Sequence, residues 1–355
     1  MRLRYFDMLK GLAIFMVVMG HVLAMCIRGI DSAPLFKFIG QIHMPLFFFI
    51  SGWLAMRVNP DGTPKSTALL PKVKRLLLPA LVVSLLWIWY YPSSGLESPF
   101  QHSWTALLAD SWKYGYWFTP VLFVIFVLYI PSVHLFPRRP TLLPEVAVVA
   151  GVWMVLVLLV MFLPAAVIGY ASLDLICNFY PVFMIGALAR RHSEAFGRLV
   201  ANPNAVALAL ITVALTISYV GWYWLWPFDS ALLRILVQPV MHFAIAVVGI
   251  AVVQPWSARA FSPEAPAGSH PWARMWEYIG TRSLAVYLLH YFFLFPLGGI
   301  RTLLQSMNLD VTPTLVVSAC VAAVIVAIVL AVDYILSFAG PLSLLLTGTI
   351  PQKQK

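Results

Sequence analysis

The chain has little charge. Of its 355 residues, only 10% are Asp, Glu, Lys or Arg, against about 25% in an average soluble protein. With 61% hydrophobic residues, that shortage excludes a soluble globular domain and predicts a polytopic membrane protein. Acidic residues are the scarcer kind, 13 against 23 basic. So few carboxylates inside apolar segments argue against a carboxylate-based proton or cation pump. Three cysteines, Cys26, Cys177 and Cys320, lie far apart. They offer neither a disulfide framework nor zinc-ligand spacing, and no metal is expected. The net charge of +10 does not point to nucleic acid, because membrane proteins concentrate Lys and Arg in their cytoplasmic loops. No cleavable leader is expected in the first apolar run. In LAMC (residues 23–26), Met25 stands where a lipoprotein signal needs a small residue, so the first apolar run reads as a retained span. No fixed-period repeat is visible.

What the chain has is apolar runs. They predict an all-α fold with ten transmembrane helices, near residues 8–27, 34–56, 74–91, 116–136, 143–164, 172–189, 204–226, 231–254, 278–298 and 313–338. The sixth is short and holds Pro181, so it is expected to kink or to reach only partway. Alternate connections carry 18 and five of the 23 basic residues. The positive-inside bias then places both termini in the cytoplasm, as an even number of spans also requires. Residues 104–115 (WTALLADSWKYG) suit an interfacial amphipathic helix outside the cell. The expectation is one transmembrane domain over 1–355, multi-pass in the inner (plasma) membrane, among membrane lipids. A homo-oligomer is compatible with this sequence.

Within the spans, polar side chains are few and placed at similar depth. His21, His43, His242 and His290 all fall near the predicted midplane. Ten residues separate Lys10 from His21, a rise of about 16 Å on a helix. That is about half of a hydrocarbon core roughly 30 Å thick. Each histidine suits either a bond to a neighbouring helix or a shared polar cavity. In QIHMPLFFFISGWL (41–54), Pro45 can kink the helix near His43. Ser51 and Gly52 suit either close helix packing or contact with a ligand. In PKVKRLLLP (71–79), Lys72, Lys74 and Arg75 are ordinary cytoplasmic flanks or, with Lys10, a cationic grip on a phosphate-bearing ligand.

These segments, with YWFTPVLF (116–123) and IGTRSLAVYLLH (279–290), resemble the acyltransferase-3 family of integral membrane O-acyltransferases, in the flavour of its fucose 4-O-acetylase-like branch. Lys10, ten residues and His21 match the family's basic-x10-His hallmark, with lysine where many members have arginine. Phe47, Phe48, Ser51 and Gly52 match its Phe-Phe-x-x-Ser-Gly motif. Lys72-x-x-Arg75 stands for its Arg-x-x-Arg, with a point charge replacing a bidentate fork. The resemblance implies transfer of an acyl group, usually acetyl, from cytoplasmic acyl-CoA to a hydroxyl of a glycan or lipid-linked sugar. His21 would be general base or transient acyl carrier, and His43, His290 or Ser51 the oxyanion donor. Lys10, Lys72, Lys74 and Arg75 would hold the donor's phosphates, with its pantetheine arm passing Ser51 and Gly52. Trp112, Tyr116 and Trp117 would either stack on an acceptor sugar or form an interfacial aromatic belt. The alternative class is a secondary transporter or flippase of a sugar or lipid-linked glycan. It lacks its usual sign, interrupted helices in two related halves.

Overall fold

Long runs of Leu, Val, Ile, Ala and Phe, with charges confined to their ends, form helices throughout. The computed structural model describes residues 4–27, 34–59, 63–65, 68–93, 108–200, 271–306 and 311–348, and among them every regular element is helical. An isolated bridge joins Val58 to Pro64. The helices are α1 (Arg4–His21), α2 (Pro34–Ala55), α3 (Leu70–Lys72), α4 (Leu78–Ser93), α5 (Phe118–His134), α6 (Leu142–Phe162), α7 (Ala165–Ala171), α8 (Leu173–Arg191), α9 (Ser193–Val200), α10 (Pro271–Thr281), α11 (Ser283–Leu289), α12 (Gly298–Ser306), α13 (Val311–Leu336) and α14 (Pro341–Thr347). Two π-helical turns interrupt this pattern. One, Val22–Cys26, follows His21 directly, and the other, Val73–Leu77, carries Lys74 and Arg75. Such turns are rare and concentrate at functional sites.

Among the described residues, five helices are long and apolar enough to cross a membrane: Phe6–Cys26, Leu70–Tyr90, Leu142–Phe162, Leu173–Arg191 and Pro313–Leu336. His43–Ala55 and Phe118–His134 are shorter apolar helices. The expected spans at 204–226 and 231–254, with His242, lie outside the described residues. The sixth expected span corresponds to α8, continuous over 19 residues with Pro181 inside it, about 28 Å long. One expectation needs correction. The span expected at 278–298 is not one helix. Ser283–Phe293 and Gly298–Leu304 meet at 92°, across a stretch where Pro296 lacks an N–H and Gly298 and Gly299 add freedom. Of the segment 104–115, residues 104–107 lie outside the described residues, 108–109 are helical, and Lys113–Gly115 forms a 3-10 helix.

The chain divides into two units. The first comprises Met1–Met44, Leu78–Ser98 and Ser257–Lys355. Here α1 and α10 pack backbone to backbone. A Cβ at Gly11 would strike the Trp276 carbonyl, and one at Gly280 would strike the Asp7 carbonyl. These reciprocal contacts let the two helices run side by side, and the sequence offset between Gly11 and Gly280 recurs between His21 and His290, as a run in the same direction requires; a bidentate Arg4–Glu277 pair also links the two helices. Arg282 Nε lies 3.2 Å from Asp333 Oδ2 and ties the start of α11 to the end of α13. Replacing Gly280 with leucine is expected to abolish the monodisperse peak of the detergent-solubilised protein on size exclusion. The neighbour is backbone and cannot yield as a side chain would.

The second unit comprises Pro45–Leu77 and Pro99–Trp256. The same device recurs, with Gly52 set against the Phe183 carbonyl and Gly186 against that of Phe49. Phe48 stacks on Phe179 at 4.5 Å between centroids, and Trp117 covers the same Phe179 at 5.3 Å. A fully buried ion pair closes the far ends of α6 and α8. Arg191 Nε donates to Glu145 Oε1 at 2.6 Å, and His192 Nε2 lies 2.7 Å from Glu145 Oε2. Lys113 has a positive φ of 46°, uncommon for a side chain with a Cβ. Its ammonium compensates by donating to the Leu108, Asp110, Gly169 and Tyr170 carbonyls. Burial among them holds its pKa below the ordinary lysine value. Large apolar side chains point outward on α6 and α13, among them Leu143, Phe162 and Ile335. That outward face suits lipid and would be unusual in water.

Candidate active site

The first unit brings two of the predicted histidines together. His21 ends α1, and His290 opens the 3-10 helix His290–Phe293 after α11. His21 Nδ1 lies 2.8 Å from His290 Nε2. The ring centroids are 5.0 Å apart and the planes differ by 10°. Nitrogens so much closer than the centroids put the rings edge to edge, the geometry of an in-plane N–H···N bond.

One backbone carbonyl settles the protons. His290 Nδ1 lies 2.9 Å from the Val286 oxygen, which can only accept, so Nδ1 carries the hydrogen. In the neutral ring His290 Nε2 is then a lone pair and must accept from His21 Nδ1–H. That leaves His21 Nε2 as a lone pair, and the Tyr291 hydroxyl, 3.1 Å away, donates to it. For two neutral rings the order is Tyr291 O–H → His21 → His290 → Val286 C=O. His290 is fully buried and Tyr291 nearly so, while His21 keeps a partly open side. The Trp87 ring closes on Tyr291 edge-on at 6.0 Å. A histidine oriented through Nδ1, with a lone pair on Nε2, is the arrangement of a general base or nucleophile.

The other predicted residues are placed as follows. His43, half-buried on α2, lies close enough to be felt electrostatically at His21. Lys10 lies on the same helix as His21, about 16 Å along the axis, with its ammonium on Asp7 Oδ1 at 2.6 Å. Ser51 is half-buried on α2 in the second unit. The room that Gly52 leaves is taken by the Phe183 carbonyl, so this glycine seats α8 rather than a ligand. Lys72 is half-buried with Nζ 4.0 Å above the Phe126 ring, whereas Lys74 and Arg75 are exposed. Tyr116 and Trp117 are buried, Trp117 against Phe48 and Phe179, which removes them as a stacking platform for a sugar; Trp112 is exposed. Among the described residues no group of three metal-ligating side chains occurs.

Sequence reading missed Tyr291 and Trp87. The available signal was a phenol directly after His290 in an otherwise apolar run.

The profile of the acyltransferase-3 family, described as an acyltransferase domain, matches residues 3–332. The chain belongs to the acyltransferase-3 family. Two curated relatives are similar to parts of this acyltransferase-3 chain. "Nodulation protein NolL" of Sinorhizobium fredii (strain NBRC 101917 / NGR234) is 35% identical over 131 residues, 35% of this chain and 34% of that protein. "Nodulation protein NolL" of Mesorhizobium japonicum (strain LMG 29417 / CECT 9101 / MAFF 303099) is 27% identical over 225 residues, 61% of this chain and 56% of that protein. The chain thus spans about a third and somewhat over half of the relatives it matches. No solved structure matches it.

Proposed function

We propose that the protein is a membrane-embedded O-acyltransferase. It moves an acyl group, acetyl in the simplest case, from cytoplasmic acyl-CoA to a hydroxyl of a glycan or lipid-linked sugar. The observation that carries this reading is the His21 Nε2 lone pair, fixed through His290 by the Val286 carbonyl, in a chain of the acyltransferase-3 family. The same lone pair serves either a general base or a transient acyl carrier. The proposed setting is the inner membrane, with ten spans and both termini cytoplasmic. The parallel run of α1 and α10 supports it, since two helices running the same way enter the membrane from the same face.

Acetyl-CoA is the proposed donor. Lys10, Lys72, Lys74 and Arg75 are the proposed ligands for its phosphates. Lys10 spends one contact on Asp7 and retains further N–H donors. Ser51 stays in the proposal as a donor-side hydrogen-bonding group, and His43 as an oxyanion stabiliser. The histidines hold no metal in this reading, and the acceptor is a sugar hydroxyl.

Replacing Lys10 with alanine is expected to weaken acetyl-CoA binding about tenfold, the worth of one charge-assisted hydrogen bond. Calorimetric titration of the purified protein checks this, and an unchanged affinity counts against the phosphate role. The reading as a whole is tested by thermal stabilisation. Acetyl-CoA should raise the melting temperature of the wild-type protein in the absence of sugar. A transporter would respond to a sugar solute and not to acetyl-CoA.

A further inference from the structure

We infer that Tyr291 is a catalytic residue, the proton relay between the acceptor hydroxyl and His21; this rests on the acyltransferase reading above. The base lone pair is not open. It is filled by the Tyr291 hydroxyl at 3.1 Å. An acceptor hydroxyl must therefore displace the phenol or work through it. Displacement is obstructed, because Tyr291 is 5% exposed, its ring lies 4.2 Å from that of His290, and Trp87 stands edge-on to it at 6.0 Å. The phenol also sits inside the 3-10 turn that carries His290, so swinging it out disturbs the residue that orients the base. Relay needs no such movement. The phenol oxygen donates one hydrogen to His21 and keeps lone pairs that can accept another. His21 retains a partly open side, so the His21–Tyr291 bond borders reachable space.

The step balances. As the acceptor oxygen bonds to the acyl carbon, its O–H bond breaks and the proton passes to Tyr291 Oη. The Tyr291 O–H bond breaks at the same time and its proton passes to His21 Nε2. The carbonyl π pair moves onto the carbonyl oxygen. On collapse that pair re-forms C=O, the C–S bond breaks with its electrons on sulfur, and the proton held by His21 returns to sulfur as the thiol. Tyr291 and His21 end as they began, and no oxidant or further reactant is consumed.

The test uses the full-length protein in native membrane vesicles with [1-14C]acetyl-CoA, reading label in membrane-bound ester. Tyr291→Phe keeps the ring and removes the relay oxygen. Label transfer at saturating donor should fall by about 10²- to 10⁴-fold, the usual reach of positioned acid–base groups, with acetyl-CoA affinity unchanged. If the phenol merely stoppers the lone pair, Tyr291→Phe will transfer at the wild-type rate or faster, which overturns the relay. A second variant covers a folding defect. Fluorotyrosine at position 291 keeps the shape and acidifies the phenol, so loss of transfer at high pH should begin at lower pH than in wild type. An unmoved alkaline limb overturns the relay. If wild-type vesicles neither transfer label nor bind acetyl-CoA, the acyltransferase reading itself fails, a result distinct from active wild type with active Tyr291→Phe.

Discussion

Replacing His21 with alanine is expected to abolish acyl transfer while the protein still inserts and purifies normally. His21 is the group on which the ordered hydrogen bonds converge. It donates to His290 at 2.8 Å and accepts from Tyr291 at 3.1 Å. Alanine removes both bonds and the lone pair that would take a hydroxyl proton. Positioned acid–base groups contribute about 10²- to 10⁴-fold, and a nucleophilic role would add to that. The expected loss is therefore at least about a thousandfold in label transferred from acetyl-CoA. Structure should survive, because His21 is only partly buried and α1 is held elsewhere by the Gly11 and Gly280 crossings and the Arg4–Glu277 pair. Activity within a few-fold of wild type, in protein of normal yield, would remove His21 from the mechanism.

The second large effect is on folding. Glu145→Gln should destabilise the second unit by about 3–5 kcal/mol, the usual cost of breaking a fully buried ion pair from one side. Both side chains of the Arg191–Glu145 pair are completely buried. Arg191 would keep its bonds to the Pro137 and Arg138 carbonyls but lose its counter-charge. His192 would lose its carboxylate partner as well. Thermal denaturation of the purified protein measures this. A melting temperature equal to wild type would mean that the pair closing α6 on α8 is not a structural clamp.

The parts of this fold that could be read in advance were those fixed by composition and depth. Span 1 showed as an uninterrupted apolar run, and counting 1.5 Å per residue from Lys10 put His21 near the midplane. The same counting put His290 at similar depth, so their meeting was foreseeable as a shared level. It was not foreseeable as a bond. Ring contact depends on the parallel packing of α1 and α10, in which Gly11 lies against the Trp276 carbonyl and Gly280 against that of Asp7, partners far apart in the sequence. Tyr291 was missed for a related reason. On an α-helix adjacent residues point about 100° apart, so nothing suggested that His290 and Tyr291 would both reach one imidazole. A switch to 3-10 geometry at His290 produces it, leaving the three rings in mutual contact at 4.2 to 5.0 Å between centroids. Pro296, Gly298 and Gly299 did mark the 92° break after Phe293, but hydropathy outweighed them. Gly52 was correctly singled out as a point of close approach. What approaches is the Phe183 carbonyl, which spacing alone could not distinguish from a ligand.

The central claim is that this chain transfers an acyl group from acetyl-CoA inside the membrane. Its most direct test is to incubate native membrane vesicles holding the wild-type protein with [1-14C]acetyl-CoA, and to follow free thiol and membrane-bound label together. The account predicts thiol release matched mole for mole by label in alkali-labile ester on a glycan or lipid-linked sugar. Vesicles that bind acetyl-CoA no better than empty ones, with neither thiol nor ester formed, would contradict it.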